Sequence, residues 1–166
     1  GLVIPMVEDE AQARTIVRSA KYPPEGARGA AFGVAHDNYI PAPVTEVMAS
    51  SNKEGFIMAQ IETVSGIENC EAIAAVEGID CLWVGHFDLS VSMGIPAQFD
   101  HPAFLKASEK VANACEKHGK TAGNMVSNAE AAKVWKDVGY RAFALGDVWL
   151  YQSALKQGLD ELKAPG

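Results

Sequence analysis

The stretch "FIMAQIETVSGIENCEAIAAVEGIDCLWVG" (Phe56–Gly85) holds the pattern on which the fold turns. "FIMAQIE" (56–62) is a short apolar run that reads as a strand. "SGIENCEAIAAV" (65–76) reads as a helix, opened by a capping box of Ser65 and Glu68. "CLWVG" (81–85) is a second strand. Strand, helix, strand with no hairpin signal between them describes two parallel strands joined by a helical crossover.

The alternation continues on both sides. Upstream, "GLVIPMV" (1–7) is strand-like, and Ala13, Ile16, Val17 and Ala20 share one face of a helix that Pro23 and Pro24 stop. Residues 25–43 are rich in Gly and Pro and read as a long loop, with a short helix near 44–51. Downstream, "PAFLKASEKVANACEKHG" (102–119) is a long helix striped by Phe104, Ala107, Val111, Ala114 and Cys115, and Gly119 supplies its stop. "TAGNMV" (121–126) is a strand, and 127–139 a helix with a second capping box, Ser127 and Glu130. "YRAFALG" (140–146) is a strand, and 147–163 a last helix that Asp147 caps.

Five βα units in series predict an α/β fold with a parallel sheet and right-handed crossovers. A closed (β/α)8 TIM barrel takes ~250 residues, or ~31 per unit, so five units take roughly 155. With 166 residues, the expected fold is a partial TIM barrel: about the last five βα units, with the first three absent. It forms one domain, residues 1–166, N-terminally incomplete, since the chain begins inside a strand and without Met. A doubly wound sheet is the alternative, although no GxGxxG follows any strand.

Composition narrows the function. The net charge is −7 and the basic residues are scattered, which excludes the footprint of a nucleic-acid binder. No apolar run approaches the ~18 residues of a membrane span, and "GLVIPMV" lacks the basic leader of a signal peptide. Cys70, Cys81 and Cys115 sit in apolar patterns and read as buried free thiols in a reducing, cytoplasmic compartment. Their spacing does not suggest zinc.

Side-chain parity places the chemistry. Phe56, Met58, Gln60 and Glu62 share one face of their strand; Ile57, Ala59 and Ile61 share the other. The aliphatic face suits packing on helices. The mixed face carries Gln60 and Glu62 to the strand's carboxyl end, where barrel active sites lie. Asp88, in "GHFDLS", falls just beyond the next strand. Adjacent strands lie about 5 Å apart, and two carboxylates so close repel unless a cation lies between them. Oxygen ligands favour Mg²⁺, Mn²⁺ or Co²⁺, acting as a Lewis acid that stabilises an enolate. The plain alternatives are that Asp88 caps a short helix and that Glu62 pairs with an Arg.

Other residues have two readings each. His86 is a base or an ordinary loop residue; His36, His101 and His118 read as loop, loop and helix-end residues. Arg28 binds an anionic substrate or forms a salt bridge. Trp83, Trp135 and Trp149 read as packing residues. Gly85 permits close backbone approach in a tight turn, which would also expose an N–H to a ligand carboxylate.

Four motifs, "IPMVEDEAQA", "YPPEGARG", "QIET" and "VGHFDLSVSMG", resemble in order and spacing the HpcH/HpaI aldolase family. These are 2-oxo-acid (pyruvate) class II aldolases of the phosphoenolpyruvate/pyruvate barrel superfamily, to which macrophomate synthase is related. The resemblance covers essentially the whole chain. It implies that Glu62 and Asp88 bind the divalent metal, that Gln60 contacts the oxo acid, and that the backbone N–H of Phe87 contacts the substrate. Met125 falls where the family has an apolar pocket-wall residue. His86 and Phe87 stand where the family has a Pro-Ala pair, and their bulk would reshape the pocket. No catalytic residue is assigned within the chain, because the family's general-base His and a substrate-binding Arg lie on strands before "IPMV".

The resemblance implies cleavage of a 4-hydroxy-2-oxo acid to pyruvate and an aldehyde, and a homo-oligomer, a hexamer in the family. The competing readings are a citrate-lyase-like enzyme acting on CoA thioesters, a phosphate-binding barrel enzyme, for which "NMVSN" and "LGDVW" offer little, and a non-catalytic fragment or interaction protein.

Overall fold

The computed structural model describes residues 1–163. Its five strands are β1 (Leu2–Ile4), β2 (Ile57–Ile61), β3 (Cys81–Val84), β4 (Thr121–Val126) and β5 (Ala142–Leu145). All pair in parallel and in strict chain order, β1-β2-β3-β4-β5. That order decides between the two architectures. A doubly wound sheet reverses its direction of growth at a switch point; here every strand adds to the same edge, as in the wall of a (β/α)8 barrel. The chain forms an arc of five such strands.

The helices are α1 (Glu10–Ala20), α2 (Val44–Glu54), α3 (Val64–Glu68), α4 (Cys70–Ala74), α5 (His86–Ser92), α6 (Pro102–Lys117), α7 (Ala129–Val138) and α8 (Asp147–Lys163). A 3₁₀ turn at Ala35–Asp37 interrupts the long loop. The main core lies between the sheet and the helices on its outer face. Along β2, Ile57, Ala59 and Ile61 are buried, whereas Met58 and Gln60 are only half-buried. Register carries this parity across the sheet, because Ala59 pairs with Leu82 and Ile61 with Val84. α6 supplies Phe104, Val111 and Cys115, and α4 supplies Cys70 and Ile73, to the same cluster.

Several local expectations change. The helix expected over 65–76 is two short helices, α3 and α4, separated at Asn69. Neither capping box forms. Thr63, not Ser65, caps α3 by accepting from the Gly66 N–H, and Asn128, not Ser127, caps α7 by accepting from the Ala131 N–H. In each case a neighbour of the expected cap holds extended backbone (φ −130° at Thr63, −164° at Asn128) and aims its oxygen at the open N–H groups. His101 is likewise the cap of α6, accepting from Ala103 N–H through Nδ1. Asp147 opens α8 and accepts from the Val148 N–H. Trp135 packs on the core, but Trp149 is exposed. Arg28 forms no salt bridge among the described residues. Its guanidinium lies over the Tyr22 ring, 4.6 Å from the centroid, a cation–π contact.

The three cysteines are free and buried, as expected. Burial pushes the Cys81 and Cys115 thiols up from 9.0 to about 12. A raised folded-state value means that unfolding releases protons once the pH passes the ordinary thiol range. Stability from these groups is therefore complete below about pH 9 and falls as the pH climbs toward 12. Native protein at pH 8 should leave all three thiols unlabelled by a disulfide reagent over the time in which urea-unfolded protein reacts fully. Fast labelling of native protein would contradict this packing.

Candidate active site

β2 ends at Ile61, and the next residue is Glu62, level with Gly85 at the end of β3 because Ile61 pairs with Val84. Glu62 is 4% exposed. Its Oε1 accepts from the Met6 N–H at 2.8 Å, and its Oε2 accepts from the Gln60 side-chain amide. Both donors are neutral. No Lys or Arg pairs with Glu62 among the described residues, so the expected alternative of an Arg partner is not realised. A buried carboxylate without a counter-charge costs several kcal/mol, and this one lies at the end of the barrel where ligands bind.

Gly85 makes that burial feasible. A Cβ there would stand 2.6 Å from Glu62 Oε2, 2.9 Å from its Cβ and 3.0 Å from Gln60 Nε2. The N–H expected to face a ligand is instead committed to the sheet, donating to Ile61 O at 3.1 Å. Gly85 thus contributes space rather than a donor, a correction to its expected substrate contact. We expect Gly85→Ala to displace Glu62 and weaken divalent-metal binding about 10–100-fold, the usual scale for disturbing groups that hold a ligand in place. Calorimetric titration with Mn²⁺ measures this, and unchanged affinity would remove Gly85 from the site.

Asp88 lies one helical turn beyond Gly85, in the first turn of α5. It is exposed and makes no cap; Gly85 is the N-cap residue and no side chain caps this helix. The Asp88 carboxylate has no ion-pair partner among the described residues. The Phe87 N–H, in the same first turn, has no hydrogen-bond partner among them either. His86 packs edge-on to Phe99, with ring centroids 5.0 Å apart. Burial lowers its pKa, and the Asp88 carboxylate opposes that shift only in part. This favours the neutral ring at neutral pH. Met125, on β4, lines a cavity with His86 and Phe87.

Among the described residues no three His, Cys, Asp or Glu side chains gather as a metal site. A cation here would have the Glu62 and Asp88 carboxylates, with its other positions open to water and a chelating ligand. The donor set fits a hard divalent ion: oxygens only, one carboxylate buried beside neutral donors and the other free. Met6 was not legible in the sequence. Its N–H reaches Glu62 from the β1–α1 turn with φ +57°, a left-handed conformation that a non-glycine residue seldom adopts. Only the Pro preceding it hinted at an unusual turn.

The family model for the HpcH/HpaI aldolase/citrate lyase group matches residues 1–148. The chain belongs to this family. A 5-keto-4-deoxy-D-glucarate aldolase of Shigella boydii is 36% identical over 164 residues, covering 98% of this chain and 63% of that protein. The chain thus spans less than two-thirds of that relative's length. The crystal structure of an HpcH/HpaI aldolase from Desulfitobacterium hafniense superposes with a TM-score of 0.87 at 34% identity, over 99% of this chain and 64% of the other. Macrophomate synthase superposes with a TM-score of 0.78 at 31% identity, over 97% of this chain and 58% of the other. HpcH/HpaI membership and a barrel-type fold therefore agree with the motifs and with the strand order. Among the described residues no helix is long and apolar enough to cross a membrane.

Proposed function

We propose that this HpcH/HpaI chain carries the metal-holding half of a class II aldolase, which cleaves a 4-hydroxy-2-oxo acid to pyruvate and an aldehyde. The observation that carries the reading is Glu62: a buried carboxylate with only neutral donors, one strand over from the free carboxylate of Asp88. The S. boydii relative supports the reaction class, since its name describes an aldolase of a keto-deoxy sugar acid.

The bound metal, Mg²⁺, Mn²⁺ or Co²⁺, would supply Lewis acidity that favours the enolate of pyruvate. Glu62 and Asp88 would hold it. Gln60 keeps Glu62 oriented through its side-chain amide and presents its remaining amide atoms to the oxo acid. The Phe87 N–H, free at the start of α5, would receive the substrate carboxylate. Gly85 keeps the space that this arrangement needs, and Met125 forms apolar wall.

In the cleavage a base takes the proton of the 4-hydroxyl, the C3–C4 bond breaks, and its electron pair passes into the 2-oxo group as the enolate. A proton added at C3 then completes pyruvate. By resemblance, the base is a His and the substrate clamp an Arg on family strands that precede the one matching β1. The isolated chain is accordingly expected to bind Mn²⁺ without cleaving substrate. A cleavage rate comparable to that of complete family members would overturn this assignment. Pyruvate release, followed through a coupled dehydrogenase, tests the reaction in a protein that includes those strands.

Oligomerisation belongs to the same reading. α8 exposes Leu155, Leu159 and Leu162 along one side. Burying it against another copy is consistent with the hexamer that the resemblance implies.

A further inference from the structure

α4 begins at a residue whose side chain does not cap it. Asn69 separates α3 from α4 and is the N-cap residue of α4. Asn fills that position well, because its side-chain oxygen accepts from the N–H groups of the first turn. Here it makes no such bond. Its Nδ2 instead donates to Glu8 O at 2.8 Å, across 61 residues. The local bond is forgone for one to the turn between β1 and α1.

That turn carries the Met6 N–H to Glu62 Oε1. Met6 has φ +57°, a conformation that persists only where its surroundings over-determine it. The residues after Met6 supply that restraint. The Val7 N–H donates to Gln60 O at 3.1 Å, and the Val7 side chain is buried. Val7 O lies close over Gly66, where a Cβ would stand 2.8 Å from it. The Glu8 N–H donates to Gln12 Oε1 at 2.8 Å. Gln12 belongs to α1, the helix that the turn itself opens. Asn69 therefore fixes the far end of the turn to the elements that follow β2.

We propose that Asn69 is a positioning residue. By holding Glu8 O it keeps the Met6 N–H aimed at Glu62, and so keeps that carboxylate oriented toward its ligand. Asn69 forms no hydrogen bond with Glu62 or Asp88 among the described residues and acts through the turn. The inference rests on the metal-holding role proposed for Glu62.

Two variants of the chain test it. Asn69→Ala removes the donor. Asn69→Asp keeps the shape, cannot donate to a carbonyl when ionised, and is free to cap α4. Both should weaken Mn²⁺ binding, measured by calorimetry, about threefold to tenfold, the worth of one hydrogen bond. Both should also speed hydrogen exchange at the Met6 amide, read by NMR, by a similar factor. The urea midpoint of Asn69→Asp should hold or rise, because its carboxylate can serve α4 as a cap. Where the parent chain binds Mn²⁺, unchanged affinity in either variant overturns the proposal, as does an unchanged Met6 exchange rate. A urea midpoint that falls with the affinity in both variants would make Asn69 merely structural and overturns it too. A parent chain that binds no Mn²⁺, with faster Met6 exchange in both variants, would sink the metal-holding reading alone and leave the hold of Asn69 on the turn standing.

Discussion

Replacing Glu62 and Asp88 together by alanine should abolish divalent-metal binding and, in a protein with aldolase activity, all metal-dependent cleavage. The single variant Glu62→Gln is more telling. It keeps the shape and removes the charge from a side chain that is 4% exposed and held by two neutral donors. Losing one member of a buried charge pair costs about 3–5 kcal/mol, or roughly 10²–10⁴ in affinity. Mn²⁺ affinity should fall by that factor. Stability without metal should hold or rise, because the variant no longer buries an uncompensated charge. Calorimetry and urea unfolding of the same sample separate the two effects. Undiminished cleavage after thorough chelation, or in the double variant, would end the metal-dependent reading.

Phe104→Ala should produce the largest loss of stability. Phe104 is 0% exposed, edge-on to Phe99 at 5.6 Å and to Trp135 at 6.5 Å, and it joins α6 to the sheet. Truncating a buried Phe costs about 3–5 kcal/mol, a large share of the 5–15 kcal/mol typical of a domain. The urea midpoint should fall accordingly. Leu105, the next residue, is 41% exposed, and Leu105→Ala should move the midpoint little. Equal effects from the two would mean that α6 is rotated from the orientation described.

The elements were legible because their signals are local. Alternation along 56–62 fixed which side chains face the helices, and burial of Ile57, Ala59 and Ile61 follows it residue by residue. The stripe of Phe104, Val111 and Cys115 did the same for α6. Capping was less legible. Ser65 and Thr63 offer the same chemistry two residues apart, and only the backbone conformation at Thr63 selects it.

The sequence by itself determined the succession of βα units, the family, and the placement of Glu62 at a strand end with Asp88 beyond the next strand. These depend on residue order and on the two-residue period of a strand, which no distant contact alters. Only the tertiary structure decided what surrounds those residues. It set the strand order, β1 to β5 without a reversal. It brought the Met6 N–H across 56 residues to Glu62, and it assigned Gly85 to making room rather than to donating. It also turned Asn124 toward the helices and enclosed its Oδ1 without a hydrogen-bond partner among the described residues. The physical reason is that hydrogen-bond partners and steric gaps are set by separation in space, and folding brings together residues that are far apart along the chain.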